Sequence, residues 1–169
     1  MADSDVAQEL AAGVGQVLPP VYIGFLDSLP SRPTPGKDYG PILEFRGRHW
    51  RPYTRAELSS HIQYNRGTSR PRAYETAAIA EFLLSGNVAP HAEMTWALTK
   101  RGFAVERVAR GFCIGDDGNG EPLFVDPESG GVFAFYHDGM DVEPWSTSLD
   151  ELIKASRDLM ERLETDTPK

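Results

Sequence analysis

A chain of 169 residues with 40% hydrophobic residues, 17 basic and 25 acidic side chains, 16 glycines, 13 prolines and one cysteine has the make-up of one globular domain. The lone Cys113 excludes an internal disulfide and a cysteine-rich metal centre, and the opening Met-Ala-Asp-Ser-Asp-Val-Ala-Gln-Glu-Leu has neither a basic nor a long apolar leader, so a cytoplasmic protein without a membrane span is expected. The net charge of −8 opposes nucleic-acid binding and is uneven: residues 1–111 carry 13 basic and 11 acidic groups, residues 112–169 carry 4 and 14, and ten acids lie between Phe112 and Ile153 with no Lys or Arg among them.

Val6, Leu10, Val14 and Val17, spaced by three and four behind Asp3 and Ser4, predict a short amphipathic helix over 4–17. Pro19-Pro20 suits the start of a second, because proline presets φ where the first N–H groups need no intrahelical partner. Its apolar face is Tyr22, Phe25, Leu26 and Leu29, and it stops before Pro30. The proline-rich stretch 30–41 reads as a surface connection. Ile42 to Phe45 and His49 to Tyr53 are β-like runs around Arg46-Gly47, a hairpin pattern. Thr54-Arg55-Ala56-Glu57 is a capping box that opens a helix through Leu58 and Ile62. Further helices are predicted over 74–84 and 91–101. Gly111 to Gly115, Pro122 to Asp126 and Val132 to His137 are apolar runs joined by Asp116-Asp117-Gly118-Asn119-Gly120 and Pro127-Glu128-Ser129-Gly130-Gly131, which predicts an antiparallel meander. Ser148-Leu149-Asp150-Glu151 opens a last helix with Leu149, Leu152, Ile153, Leu159, Met160 and Leu163 inside. The expected class is α+β, an antiparallel β meander packed against several helices.

Motifs with chemical content fare poorly against plainer explanations. His91-Ala92-Glu93 matches half of a zinc-deaminase signature, but the Pro-Cys-x-x-Cys half is missing. Asp117-Gly118-Asn119-Gly120-Glu121 resembles part of a calcium loop, yet Pro122 stands where that loop needs glycine, and a hairpin turn explains the residues better. The histidines 49, 61, 91 and 137 fall in four separate segments with no nucleophile elbow, so no catalytic residue, cofactor or metal is assigned. His137-Asp138 are neighbours on a strand and point to opposite faces. Cys113 lies in an apolar run and reads as a buried, inert thiol. Arg46, Arg48, Arg51, Arg55, Arg66, Arg70 and Arg72 with Trp50, Tyr53 and Tyr64 offer the best case for nucleic-acid contact; the plainer reading is an arginine face pairing with the protein's own acidic third. In that third, carboxylates interleave with aromatics. Strand alternation buries about half of the rings, and Asp116, Asp117, Glu121, Tyr136, Asp138, Asp141, Glu143 and Trp145 remain as candidate contacts for a basic protein partner.

The order of these signals resembles the SUKH superfamily of fungal cell-wall-synthesis regulators and bacterial toxin-immunity proteins. The likeness rests on Glu9-Leu10-Ala11-Ala12-Gly13 through Leu18-Pro19-Pro20 to Tyr22 and Phe25-Leu26, on Trp50-Arg51-Pro52-Tyr53-Thr54-Arg55-Ala56-Glu57-Leu58, and above all on Phe112 to Asp126 followed by Val132 to Gly139 and the Ser-Leu-Asp-Glu-Leu-Ile helix start. It runs from about residue 8 to 155 and departs at 30–40 and 64–110. The resemblance implies a non-enzymatic single SUKH-like domain over 1–169, frayed at 1–7 and 164–169, with 64–110 as a family-specific elaboration. It implies an immunity protein that neutralises a cognate, basic, nuclease-like toxin. A regulatory adaptor with several partners and an enzyme on a small polar substrate stand as the rival readings.

Overall fold

The protein is described by a computed structural model at residues 19–29, 41–55, 57, 102–103, 107–108, 111–126, 128–136 and 141–165. The helices expected over 4–17, 74–84 and 91–101 lie outside the described residues. Helix α1 (Pro20–Ser28) begins where Pro19 O accepts from the N–H groups of Tyr22 at 2.9 Å and Ile23 at 3.2 Å. It ends at Leu29, whose extended backbone is what a residue before proline adopts. Tyr22, Phe25, Leu26 and Leu29 are all buried.

Strands β1 (Leu43–Phe45) and β2 (Arg48–Pro52) form the expected hairpin. Arg46 at φ 52° and Gly47 at φ 77° both take the left-handed conformation, the signature of a two-residue turn whose twist matches its strands. The meander follows as β3 (Phe112–Asp116), β4 (Pro122–Val125), β5 (Val132–Tyr136) and β6 (Asp141–Ser146), closed by helix α2 (Leu149–Thr165). The result is one antiparallel six-stranded sheet in chain order with two helices among the described residues, a mixed α+β fold.

Two features depart from the expected pattern. Asp116 was expected in the hairpin connector, but it closes β3, where it pairs with Pro122 and with Arg51 of β2. β6 was not expected at all: Pro144 argues against a strand interior, and the structure accommodates it at the sheet edge, where its missing N–H costs no ladder bond.

The join between β2 and β3 spans about sixty residues of chain and rests on a close approach of backbones. Arg51 faces Asp116, Pro52 faces Gly115, and Tyr53 N–H donates to Ile114 O at 2.9 Å. A Cβ on Gly115 would lie 2.2 Å from Arg51 O, so this register requires glycine. Each side of the meander also carries a bulge. Ile114 is extra between the Cys113 and Gly115 pairings, and Trp145 is extra between the Ser146 and Pro144 pairings.

The core joins both helices to the sheet. Trp50 stacks on Phe25 at 6.0 Å between centroids and donates its Nε1–H to Ser156 Oγ at 3.2 Å, and Ser156 in turn donates to Leu152 O at 2.7 Å. Tyr22 meets Phe112 edge-on at 5.4 Å. A second aromatic group forms where Phe103 packs edge-on against Phe124 and Phe133. Such pairs add about 1 kcal/mol each to the burial of their rings. Cys113 is fully buried here. The Thr54 box is formed as its residues require: Thr54 N–H donates to Glu57 Oε2 at 2.7 Å and Glu57 N–H to Thr54 Oγ1 at 3.3 Å.

Candidate functional site

The sheet curls far enough for its β1–β2 end to touch β6 and α2, and two arginines hold it there. Arg46 pairs with Glu151, whose carboxylate also accepts from Ser146 Oγ at 2.8 Å, Thr147 N–H at 3.1 Å and Thr147 Oγ1 at 2.6 Å. Arg48 donates to Pro144 O and Trp145 O, at 3.0 to 3.3 Å, and lays its guanidinium 3.9 Å from the Trp145 ring centre. With Arg51, which pairs with Asp116, these contacts join the arginine-rich hairpin to the acidic third of the same chain.

The curl leaves an open cleft of about 520 Å³. Its walls are Ile42, Arg48 and His49 from the hairpin, the Asp117-Gly118-Asn119 turn, Tyr136 at the end of β5, and Trp145 at the β6 bulge. Asp117 wires that turn. Its Oδ1 accepts from Asn119 N–H at 2.8 Å and Glu121 N–H at 3.1 Å, Asn119 Nδ2 reaches Oδ2 at 3.3 Å, and Asp117 N–H donates to Glu121 O at 2.9 Å. Gly118 at φ 84° and Gly120 at φ 101° permit the path. The calcium-like spacing therefore serves a turn. Among the described residues no group of three His, Cys, Asp or Glu side chains is placed to hold a metal.

The cleft carries a negative field. Burial pushes the Tyr136 phenol above its ordinary value, Asp117 and Glu143 push it further, Arg48 opposes them, and Glu121 adds a smaller push upward. Of the candidate contacts named from sequence, Asp117, Tyr136 and Trp145 line the cleft. Glu121 and Glu143 act on the Tyr136 phenol, and Asp141 is the register partner of Tyr136 on β6. Asp138, with His137, lies outside the described residues.

Asp116 is placed differently. It is 4% exposed, and its carboxylate is engaged with Arg51 and with Gly118 N–H at 2.9 Å, so it belongs to the framework under the cleft. Ile42, Arg48 and His49 were not named as site residues. Ile42 at 59% exposure is the one large hydrophobic side chain left open among the described residues, and its place beside an alternating strand was the only signal in the sequence.

No known family, curated protein or solved structure matches this chain. The site therefore stands on its own geometry. Among the described residues no helix is long and apolar enough to cross a membrane.

Proposed function

We propose that this protein is a non-enzymatic protein-binding module of SUKH-like architecture that acts as a bacterial immunity factor, binding a cognate basic toxin. The observation that carries the binding reading is one open cleft lined by Asp117, Tyr136 and Trp145 from three separate chain segments, with Glu121 and Glu143 acting on the Tyr136 phenol. Aromatic surface supplies contact area that is costly to leave wet, and carboxylates such as Asp117 and Glu143 steer a basic partner and fix its orientation. The step from binding module to immunity factor rests on the family resemblance of the sequence.

Co-expression with the product of the neighbouring gene tests it. Growth rescue together with co-purification of a stable complex is the expected result. A harmless neighbour, or a toxic one that neither associates nor is suppressed, overturns the immunity assignment for that pair.

A further inference from the structure

We propose that Asn119, on the wall of the cleft, is a site of spontaneous covalent modification: its carboxamide deamidates through the Gly120 nitrogen, leaving aspartate or isoaspartate and one more negative charge at the cleft. The β3–β4 turn holds two steps of the kind that cyclise, Asp117-Gly118 and Asn119-Gly120, and it guards the first while leaving the second open. At the first, Gly118 N–H is committed to Asp116 Oδ1 at 2.9 Å, and Asp117 Oδ1 is held by the N–H groups of Asn119 at 2.8 Å and Glu121 at 3.1 Å. Neither the nitrogen nor the carboxylate can turn toward the other without giving up those bonds.

At the second step, Asn119 and Gly120 are both exposed, and Gly120 N–H has no acceptor among the described residues. The Asn119 carboxamide is held by one bond, from Nδ2 to Asp117 Oδ2 at the long distance of 3.3 Å. Gly120 takes φ 101°, and a Cβ built on it would meet nothing within 4 Å, so the space around it is open. The backbone there favours glycine, and glycine has no side chain to shield its nitrogen.

The reaction needs only water. Gly120 N attacks Asn119 Cγ: the N–Cγ bond forms, the amide proton passes to Nδ2, and the Cγ–Nδ2 bond breaks to release ammonia. Water then opens the cyclic imide. Addition at Cγ restores the chain with aspartate at this position; addition at the backbone carbonyl carbon leaves the chain running through Cγ as isoaspartate. The aspartate product puts a carboxylate where Asn119 Nδ2 donated to Asp117 Oδ2, so an attraction beside the cleft becomes a like-charge repulsion. The chemistry is the same whatever the cleft binds.

The test is incubation of the full chain at pH 7 over days, followed by peptide mass spectrometry with electron-transfer fragmentation, which tells isoaspartate from aspartate. A gain of about one mass unit is expected at Asn119, about tenfold faster than at Asn65 or Asn87, because Arg66 and Val88 carry side chains that shield the nitrogen and Gly120 does not. No isoaspartate is expected at Asp117 over the same time. Asn119→Gln, whose longer side chain must close a larger ring, should stay unmodified. A rate at Asn119 no greater than at Asn65 and Asn87, isoaspartate forming as fast at Asp117, an equal gain in N119Q, or conversion only when the chain is unfolded in urea would each overturn the site.

Discussion

Arg51 on β2 and Asp116 on β3 face each other across the sheet, and Arg51 Nε and Nη2 both donate to Asp116 Oδ2, at 2.9 and 2.5 Å. The third donor, Nη1, reaches Glu57 Oε1 at 2.5 Å, so one guanidinium ties the long-range strand pair to the Thr54 capping box. The Glu57 carboxyl feels burial first, which raises its pKa, but the Thr54 N–H and Arg51 outweigh it and leave it below the ordinary value.

Removing one partner from this little-exposed pair leaves the other charge desolvated. Asp116→Asn is expected to destabilise the fold by about 3 kcal/mol, and Asp116→Lys by more. Urea midpoints check this. Asp117→Lys, one residue along, removes the carboxylate that holds the β3–β4 turn and should cost about 1–2 kcal/mol, less than Asp116→Lys, and slow association with a basic partner at low salt. Equal destabilisation by the two reversals would contradict the different roles assigned to these neighbours.

Gly115→Ala places a methyl 2.2 Å from Arg51 O, where only backbone movement can relieve the clash. A loss of about 3 kcal/mol or more is expected, with the β2–β3 pairing opened. Gly130→Ala is the control: Gly130 has φ 72° and an added methyl there would meet nothing within 4 Å, so it should cost only the left-handed strain of about 1–2 kcal/mol. Thermal unfolding of both, with hydrogen exchange at Tyr53 N–H, separates them.

Asp126 is fully buried at the start of the β4–β5 turn. It receives Arg107 Nε at 2.7 Å and Nη2 at 2.5 Å, and Ser129 N–H at 2.8 Å and Oγ at 2.5 Å. Burial pushes its carboxyl up, but the hydrogen bonds from Arg107 and Ser129 win and hold it well below the usual carboxylate range. The folded pKa thus lies under the unfolded value of about 3.9. The stability it contributes is complete above about pH 4–5 and is lost as pH falls below about 4 toward the folded value. The difference in unfolding free energy between wild type and Asp126→Asn should therefore be constant from about pH 5 to 7 and shrink between about pH 4 and 2. A difference that persists undiminished at the acid end would refute the linkage.

Arg48→Ala removes both the cation over Trp145 and the side-chain bonds to the β6 edge. A loss of about 1–2 kcal/mol is expected, with tryptophan emission moving to the red as Trp145 gains water. Arg48→Lys should recover part of the stability but not the planar stacking. An unshifted emission spectrum in Arg48→Ala would show that Arg48 does not shield the ring.

Local signals were legible where a short stretch carried its own physics. Pro19-Pro20 and Pro30 bound α1, Arg46-Gly47 makes the hairpin, Asp117 to Gly120 makes the β3–β4 turn, and Ser148 to Glu151 opens α2 with Glu151 N–H donating to Ser148 Oγ at 3.1 Å. β6 escaped notice because Pro144 weakens a strand pattern unless the strand is known to be an edge.

What the amino-acid order determined by itself is the set of turns, caps and apolar faces, since each depends on interactions within a few residues. What only the tertiary structure decided is the exposure of adjacent acids and the company they keep. The Ile114 bulge and the approach of Arg51 bury Asp116 while Asp117 stays at the surface, and the curl of the sheet brings Ile42 and His49 beside Tyr136, more than eighty residues away in the chain. Both outcomes follow from strand pairing across long loops, where register is set by packing against the helices and no local pattern specifies it.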